Sequence, residues 1–288
     1  MEAGKGMSSS SPSSAQAKKR RVEIPRIPPT VVRRGKGVLL NIPARSQAPE
    51  SPRAGWCGET AIQEALLFHG AYYPQRLINR AGKPRHPDLY ASDIPRALTG
   101  LRVDFVRYSW AVKGFAKFHA WLKKQLERGE PVLAGMKIHP TAHPTWGLDH
   151  FVLAVGYDAK GVTVNTTWGR RAFRTMKQLT TVAKGLSFKN RYDRYYGLRI
   201  RGLAGRPPTA RPVRLFVTRE TTRRMWVQVK CEGLVASQPY QVRRFSAHRT
   251  QSKPVRTWAF TSRGEAHVVA DTIDKQRPAL YHCALAPR

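Results

Sequence analysis

Apolar positions along this chain follow two rhythms. In FAKFHAWLKKQLERG, Phe118, Trp121, Leu122 and Leu126 recur every three or four residues, which predicts an amphipathic helix over 115–128 stopped by Gly129. CGETAIQEALLFHG has the same spacing, with Ile62, Ala65, Leu66 and His69 on one face, and predicts a helix over 58–69 ended by Gly70. Short apolar runs predict strands at VLLNIP, PVLAGMKI, HFVLAVGY, VTVNTTW and YYGLRI, and the turn signal DAKG makes the third and fourth a hairpin. Residues 74–100, rich in Pro and Gly, read as short helices and loops.

After GLAGRPP the texture changes. VRLFVTRE, RMWVQVKC, YQVRRF, RTWAFTS, AHVVADTI and ALYHCAL are short strands parted by turn residues, the pattern of a small all-β sandwich. At the other end, a Ser run, the basic tetrad Lys18 to Arg21 and three prolines predict a disordered tail. The expected organisation is a basic tail over 1–37, an α+β domain over 38–204 and a sandwich over 205–288. Residues 38–204 are expected to fold without the sandwich.

Composition adds one strong feature. A hydrophobic content of 41% suffices for a packed core, while 51 basic residues against 18 acidic ones leave a net charge of +33. Weak, sequence-independent and salt-sensitive binding of polyanions is the expected consequence. The tetrad reads as a solvated charge run ahead of a nuclear address. The first thirty residues hold no apolar signal segment, and no apolar stretch approaches a bilayer span, so a cytoplasmic protein is expected, or one exported without a signal peptide. Oligomeric state is not readable.

Cys57, Cys231 and Cys283 stand far apart and form no zinc pattern. Cys231 and Cys283 fall on strands and are expected as buried free thiols, with a disulfide between them as the alternative in an oxidising compartment. Cys57 falls where a helix begins, at the positive end of its dipole, where a thiolate is favoured. His139, His143, Asp149 and His150 cluster in sequence, but Pro140 and Pro144 break the helix that would align them on a metal. Neither metal nor cofactor is expected.

GWCGETAIQ and LDHFVLAVGYDAKGVTVNTTWG together resemble the nucleophile helix, the His strand and the returning strand of papain-like cysteine peptidases. The short interval between Cys57 and His150, and the helix before RGEPVLAGM, are closest to the compact bacteriocin-processing type, the double-glycine-leader peptidases. The resemblance covers about residues 38–202. It implies a papain-like core, with Cys57 as nucleophile, His150 as base and an Asn to orient the base. Asn165 is the expected third member: a two-residue DAKG turn gives it the face of His150, whereas a bulged turn would bring Thr166 round instead. Gln47 is the expected oxyanion donor, and Trp56, Trp146 and Asp149 are expected to line the substrate cleft. The implied function is a cysteine peptidase acting on a peptide or protein through a thioester. Acyl transfer by the same thiol, and a degenerate fold binding anionic partners, are the alternatives.

Overall fold

The computed structural model describes residues 30–47, 55–189, 192–206, 209–247 and 253–287. Strands β1 (Val31–Arg34) and β2 (Gly37–Leu40) form a hairpin that turns at Gly35, where φ is +54°. This moves the expected tail boundary, because Val31 and Val32 supply an apolar strand opposite Leu40 and Leu39. Residues 1–29, the rest of the expected tail, lie outside the described residues.

Helix α1 (Cys57–Phe68) follows, then the two-residue strand β3 (Ala71–Tyr72) and helices α2 (Gln75–Gly82) and α3 (Ile94–Gly100). Strand β4 (Val103–Arg107), helix α4 (Phe115–Glu127) and strands β5 (Val132–Met136), β6 (His150–Tyr157), β7 (Gly161–Asn165) and β8 (Arg171–Thr175) come next. Helix α5 (Met176–Thr180) and strand β9 (Gly197–Leu203) complete this part. The eight-stranded sheet is curled and antiparallel, in the order β1-β2-β6-β5-β9-β4, with β7 joining β6 to β8.

Helix α1 departs from the one-faced helix its spacing predicts, since every residue from Cys57 to Phe68 is buried. It packs between the sheet, α2 and the C-terminal strands, so its polar side chains cannot reach water. Glu59, Gln63 and Glu64 instead bind neighbouring segments, while Thr60 Oγ1 donates to the Trp56 carbonyl one turn back. Glu59 Oε1 accepts from Asn79 Nδ2 (2.8 Å) and the Leu89 N–H (3.1 Å), and Gln63 Nε2 donates to the Tyr73 carbonyl (2.7 Å). Glu64 Oε1 accepts from the Arg45 N–H at 2.7 Å. Burial raises both carboxyls, Glu59 to about 7 and Glu64 to about 8.

The six C-terminal strands form where the sequence places them. Strands β10 (Val213–Glu220), β11 (Arg224–Glu232) and β14 (Ala266–Asp274) make one sheet. Strands β13 (Arg256–Thr261), β12 (Pro239–Phe245) and β15 (Ala279–Leu285) make a second, and β3 is its fourth strand, through Ala71–Leu280 and Tyr72–Ala279 pairs. The apolar cluster shared by the two sheets includes Leu67 and Tyr72 from the N-terminal part. Gly70 is needed here twice over: its φ is +71°, and a Cβ would lie 2.8 Å from Val213 Cβ. Among the described residues, no helix is long and apolar enough to cross a membrane.

Two outcomes follow from this packing. A chain ended near residue 205 uncovers Leu67 and Tyr72, so it is expected to melt well below the full chain and bind a hydrophobic dye; equal melting temperatures would contradict the shared cluster. Glu64 holds its proton in the folded chain up to about pH 8, whereas the unfolded chain releases it near 4.5. The stability from that proton is full below about pH 4.5 and is lost as pH rises towards 8, by on the order of a few kcal/mol. Glu64→Gln should therefore gain thermal stability relative to the parent between pH 5 and pH 8. A constant difference across that range would show that burial does not raise Glu64.

Candidate active site

Cys57 is the first residue of α1 and is buried at the bottom of a cleft. Its Sγ accepts a hydrogen bond from the Phe151 N–H at 3.4 Å. Phe151 follows His150, the first residue of β6, so one peptide group separates the thiol's donor from the imidazole. Thus two residues 93 positions apart (150 − 57) meet in one cavity.

The imidazole is held from behind. His150 Nε2 lies 3.1 Å from the Thr166 carbonyl and 3.3 Å from Thr167 Oγ1, and that hydroxyl donates to the same carbonyl at 2.6 Å. A carbonyl oxygen can only accept, so Nε2 carries the proton and Nδ1 is left as the basic nitrogen. Trp168 stacks on the ring with centroids 4.5 Å apart.

Asn165, the expected orienting residue, points elsewhere. Its Nδ2 donates to the Ile42 carbonyl (3.3 Å), its Oδ1 accepts from Arg171 Nε (3.3 Å), and it also bonds Glu64. The cause is a single unpaired residue. The DAKG turn pairs Tyr157 with Val162 and Gly156 with Thr163, as a two-residue turn should. Val155 is then skipped, and Ala154 pairs with Val164. Past that bulge, even-numbered positions of the returning chain come to the face of His150. Thr166 meets His150 through its carbonyl, since its hydroxyl donates to the Arg170 carbonyl at 2.9 Å.

Gln47 lies on the same cleft as Cys57, on a segment stitched to the loop behind His150. The Gln47 N–H donates to the Thr167 carbonyl and the Gly169 N–H to the Arg45 carbonyl, both at 3.0 Å. Gly169 is required there, since its φ is +73° and a Cβ would meet Ser46 Oγ at 2.6 Å. Thr167 has a φ of +64°, a costly conformation for a β-branched residue, and its hydrogen bonds hold it there.

The remaining expected cleft residues divide. Trp146 lines the cleft and is exposed, with His143 stacked on it at 4.1 Å. Asp149 sits in the wall, but its carboxylate is taken by buried Lys137 (2.9 Å) and by the N–H groups of Ile138 (2.6 Å) and His139 (3.1 Å). Trp56 does not line the cleft: its ring is buried, and its Nε1–H is spent on the Pro87 carbonyl at 2.9 Å. Sequence reasoning missed Thr167 and Trp168 as partners of His150, and Asp88, Tyr90, Trp110 and Tyr192 as cleft residues. The string NTTWG already contained the first two. Among the described residues no metal-binding cluster of His, Cys, Asp or Glu occurs.

Burial dominates the charges. It pushes the Cys57 thiol up to about 12, aided by Glu59 and Asp88 and opposed by the Phe151 and Gly58 N–H groups. Burial also lowers His150 below its usual 6.5, against the pull of the Thr166 carbonyl and Asp149. The expected preference for thiolate at the helix start is outweighed, and near pH 7 both partners are uncharged.

The model of the Peptidase C39-like family matches residues 39–200, a span that contains Cys57, His150 and the loop behind it. No curated protein matches the chain.

An uncharged pair has a distinct titration. Alkylation of Cys57 by iodoacetamide, followed on its own peptide by mass spectrometry, should rise continuously from pH 6 to pH 9.5. A rate plateau extending below pH 6 would reveal a preformed thiolate–imidazolium pair and refute the neutral state.

Proposed function

We propose that this chain, which belongs to the Peptidase C39-like family, is a cysteine peptidase that hydrolyses a peptide or protein through a thioester at Cys57. The observation that carries the reading is the hydrogen bond from His150 Nε2 to the Thr166 carbonyl, because it leaves Nδ1 as a base beside a cleft that also holds the thiol. In this reading residues 31–204 form a papain-like core, which includes β1, and 205–288 an accessory β-sandwich that also covers the end of α1. The net charge of +33 is read as a source of weak polyanion binding.

His150 takes the thiol proton as Sγ attacks the scissile carbonyl carbon. The tetrahedral oxyanion is received by the Gln47 side-chain amide and the Cys57 N–H, which as a first-turn donor has no intrahelical acceptor. Collapse breaks the C–N bond, and the proton passes from His150 to the leaving amine. Water then attacks the thioester, giving its proton to His150, and releases the acid and the thiol. Starting from a neutral pair, proton transfer accompanies attack, so the rate depends on His150 as base as well as on the thiol.

Cys57→Ala should abolish cleavage, whereas Cys231→Ala and Cys283→Ala should leave it. His150→Ala should lower kcat/KM by about 10²-fold or more, and Gln47→Ala should lower kcat by roughly 10²-fold. Thr167→Val should reduce kcat more than Asn165→Ala does, with the Asn165 change felt mainly in stability. Full activity in Cys57→Ala would end the thiol mechanism. Product formed only when an amine acceptor is supplied, with no ¹⁸O taken up from labelled water, would replace hydrolysis by acyl transfer.

A further inference from the structure

The cleft over Cys57 differs in charge from the rest of the molecule. It encloses about 1050 Å³, and among the described residues no Lys or Arg lines it, although 51 of the 288 residues are basic. Of its two carboxylates, Asp149 is already neutralised by Lys137. Asp88 is partly exposed, and no Lys or Arg pairs with it among the described residues; the His86 imidazole stands 3.5 Å away. Its loop is rigid: Trp56 Nε1 and Asn79 Nδ2 each donate to the Pro87 carbonyl at 2.9 Å, and the Leu89 N–H donates to Glu59 at 3.1 Å. Asp88 therefore presents a fixed negative charge, near enough to the thiol to raise its proton affinity.

Around that charge stand five exposed aromatic side chains: Tyr90 (50%), Trp110 (44%), Trp146 (53%), Trp168 (41%) and Tyr192 (47%). Solvent-facing rings concentrated in one cleft, rather than scattered, mark a binding surface. Aromatic faces attract cations and bury the aliphatic stems of Lys and Arg. One face of Trp110 is already covered by the Arg194 guanidinium, 5.8 Å from its centroid, and one face of Tyr90 by His86. No Lys or Arg among the described residues lines the cleft itself, so a cationic side chain finds a carboxylate and the remaining ring faces here.

We propose that the cleft selects peptides carrying a Lys or Arg side chain beside the scissile bond, with Asp88 as the ionic contact and the aromatic walls as the platform. This rests on the peptidase reading of Cys57 and names its substrate class. The net charge of the protein does not oppose it at short range, because charges beyond about 8 Å are largely screened at physiological salt. A protein of this charge attracts acidic peptides by default, so a preference for Lys would be a property of the cleft.

Two measurements on the full chain test the proposal. Digestion of an unbiased peptide library should show Lys or Arg enriched within two residues of the cleaved bond. In Cys57→Ala, which cannot turn over, a peptide series differing only in one Lys, norleucine or Glu should bind at least tenfold more tightly with Lys than with Glu, read by tryptophan fluorescence. Adding Asp88→Asn should shrink that ratio severalfold, and Asp88→Glu should retain it, which separates lost charge from lost folding. Cleavage without charge preference, tighter binding of the Glu peptide, no binding of any peptide, or a ratio indifferent to Asp88→Asn would each overturn the proposal. An uncleaved library with the Asp88-dependent Lys preference intact would support the cleft chemistry and remove the peptidase reading instead.

Discussion

Complete burial of α1 is the constraint on which the rest of the structure depends. A helix with no solvent face must satisfy its polar side chains through neighbours, because an unpaired buried polar group costs more than a hydrogen bond returns. Glu59 and Glu64 meet this by anchoring two loops, one leading to Asp88 and the other to Gln47. The demand for partners thus builds the cleft: the helix that begins with the nucleophile also fixes both sides of the space above it. Burial has a second effect in the same direction, since it raises Glu59, Glu64 and Cys57 alike and favours the protonated form of each.

The bulge at Val155 shows how much one residue can decide. Without it, the side chain of Asn165 would come to the face of His150; with it, backbone takes that place. A carbonyl is as good a tautomer lock as an amide oxygen, and the adjacent Thr167 hydroxyl steadies it. Freed from the imidazole, Asn165 instead joins Ile42, Arg171 and Glu64. The displaced side chain has become part of the network that holds the buried helix.

Much of this architecture was legible in the chain. Helices α1 and α4, strands β5 to β7 and all six C-terminal strands follow from apolar spacing and turn residues, which are local signals. Cys57, His150, Gln47 and Trp146 were found through their order and flanking residues, and all four line one cavity. What failed depends on the third dimension. Strand β3 has two residues and no periodicity, and only its pairing with β15 makes it a strand. Trp56 reads as an exposed aromatic beside a nucleophile, but Pro87 claims its N–H. A bulge leaves no mark in composition, and Asp88 gains its place from bonds that Trp56, Asn79 and Glu59, 29 positions earlier (88 − 59), make with its loop.

The pairing of β3 with β15 also sets an order of events. Tyr72 emerges from the ribosome directly behind the nucleophile helix, yet Ala279, its partner, is made roughly two hundred residues later. Until then Tyr72 lacks its strand partner, and the cluster that holds Leu67 and Tyr72 lacks the residues of β15. Local contacts form early and distant ones late, so the face of α1 against α2 and β6 is covered before the end that meets the C-terminal strands. The end of the nucleophile helix remote from Cys57 therefore waits for a strand made late, whereas the thiol's own neighbours, His150 and Phe151, are made well before it.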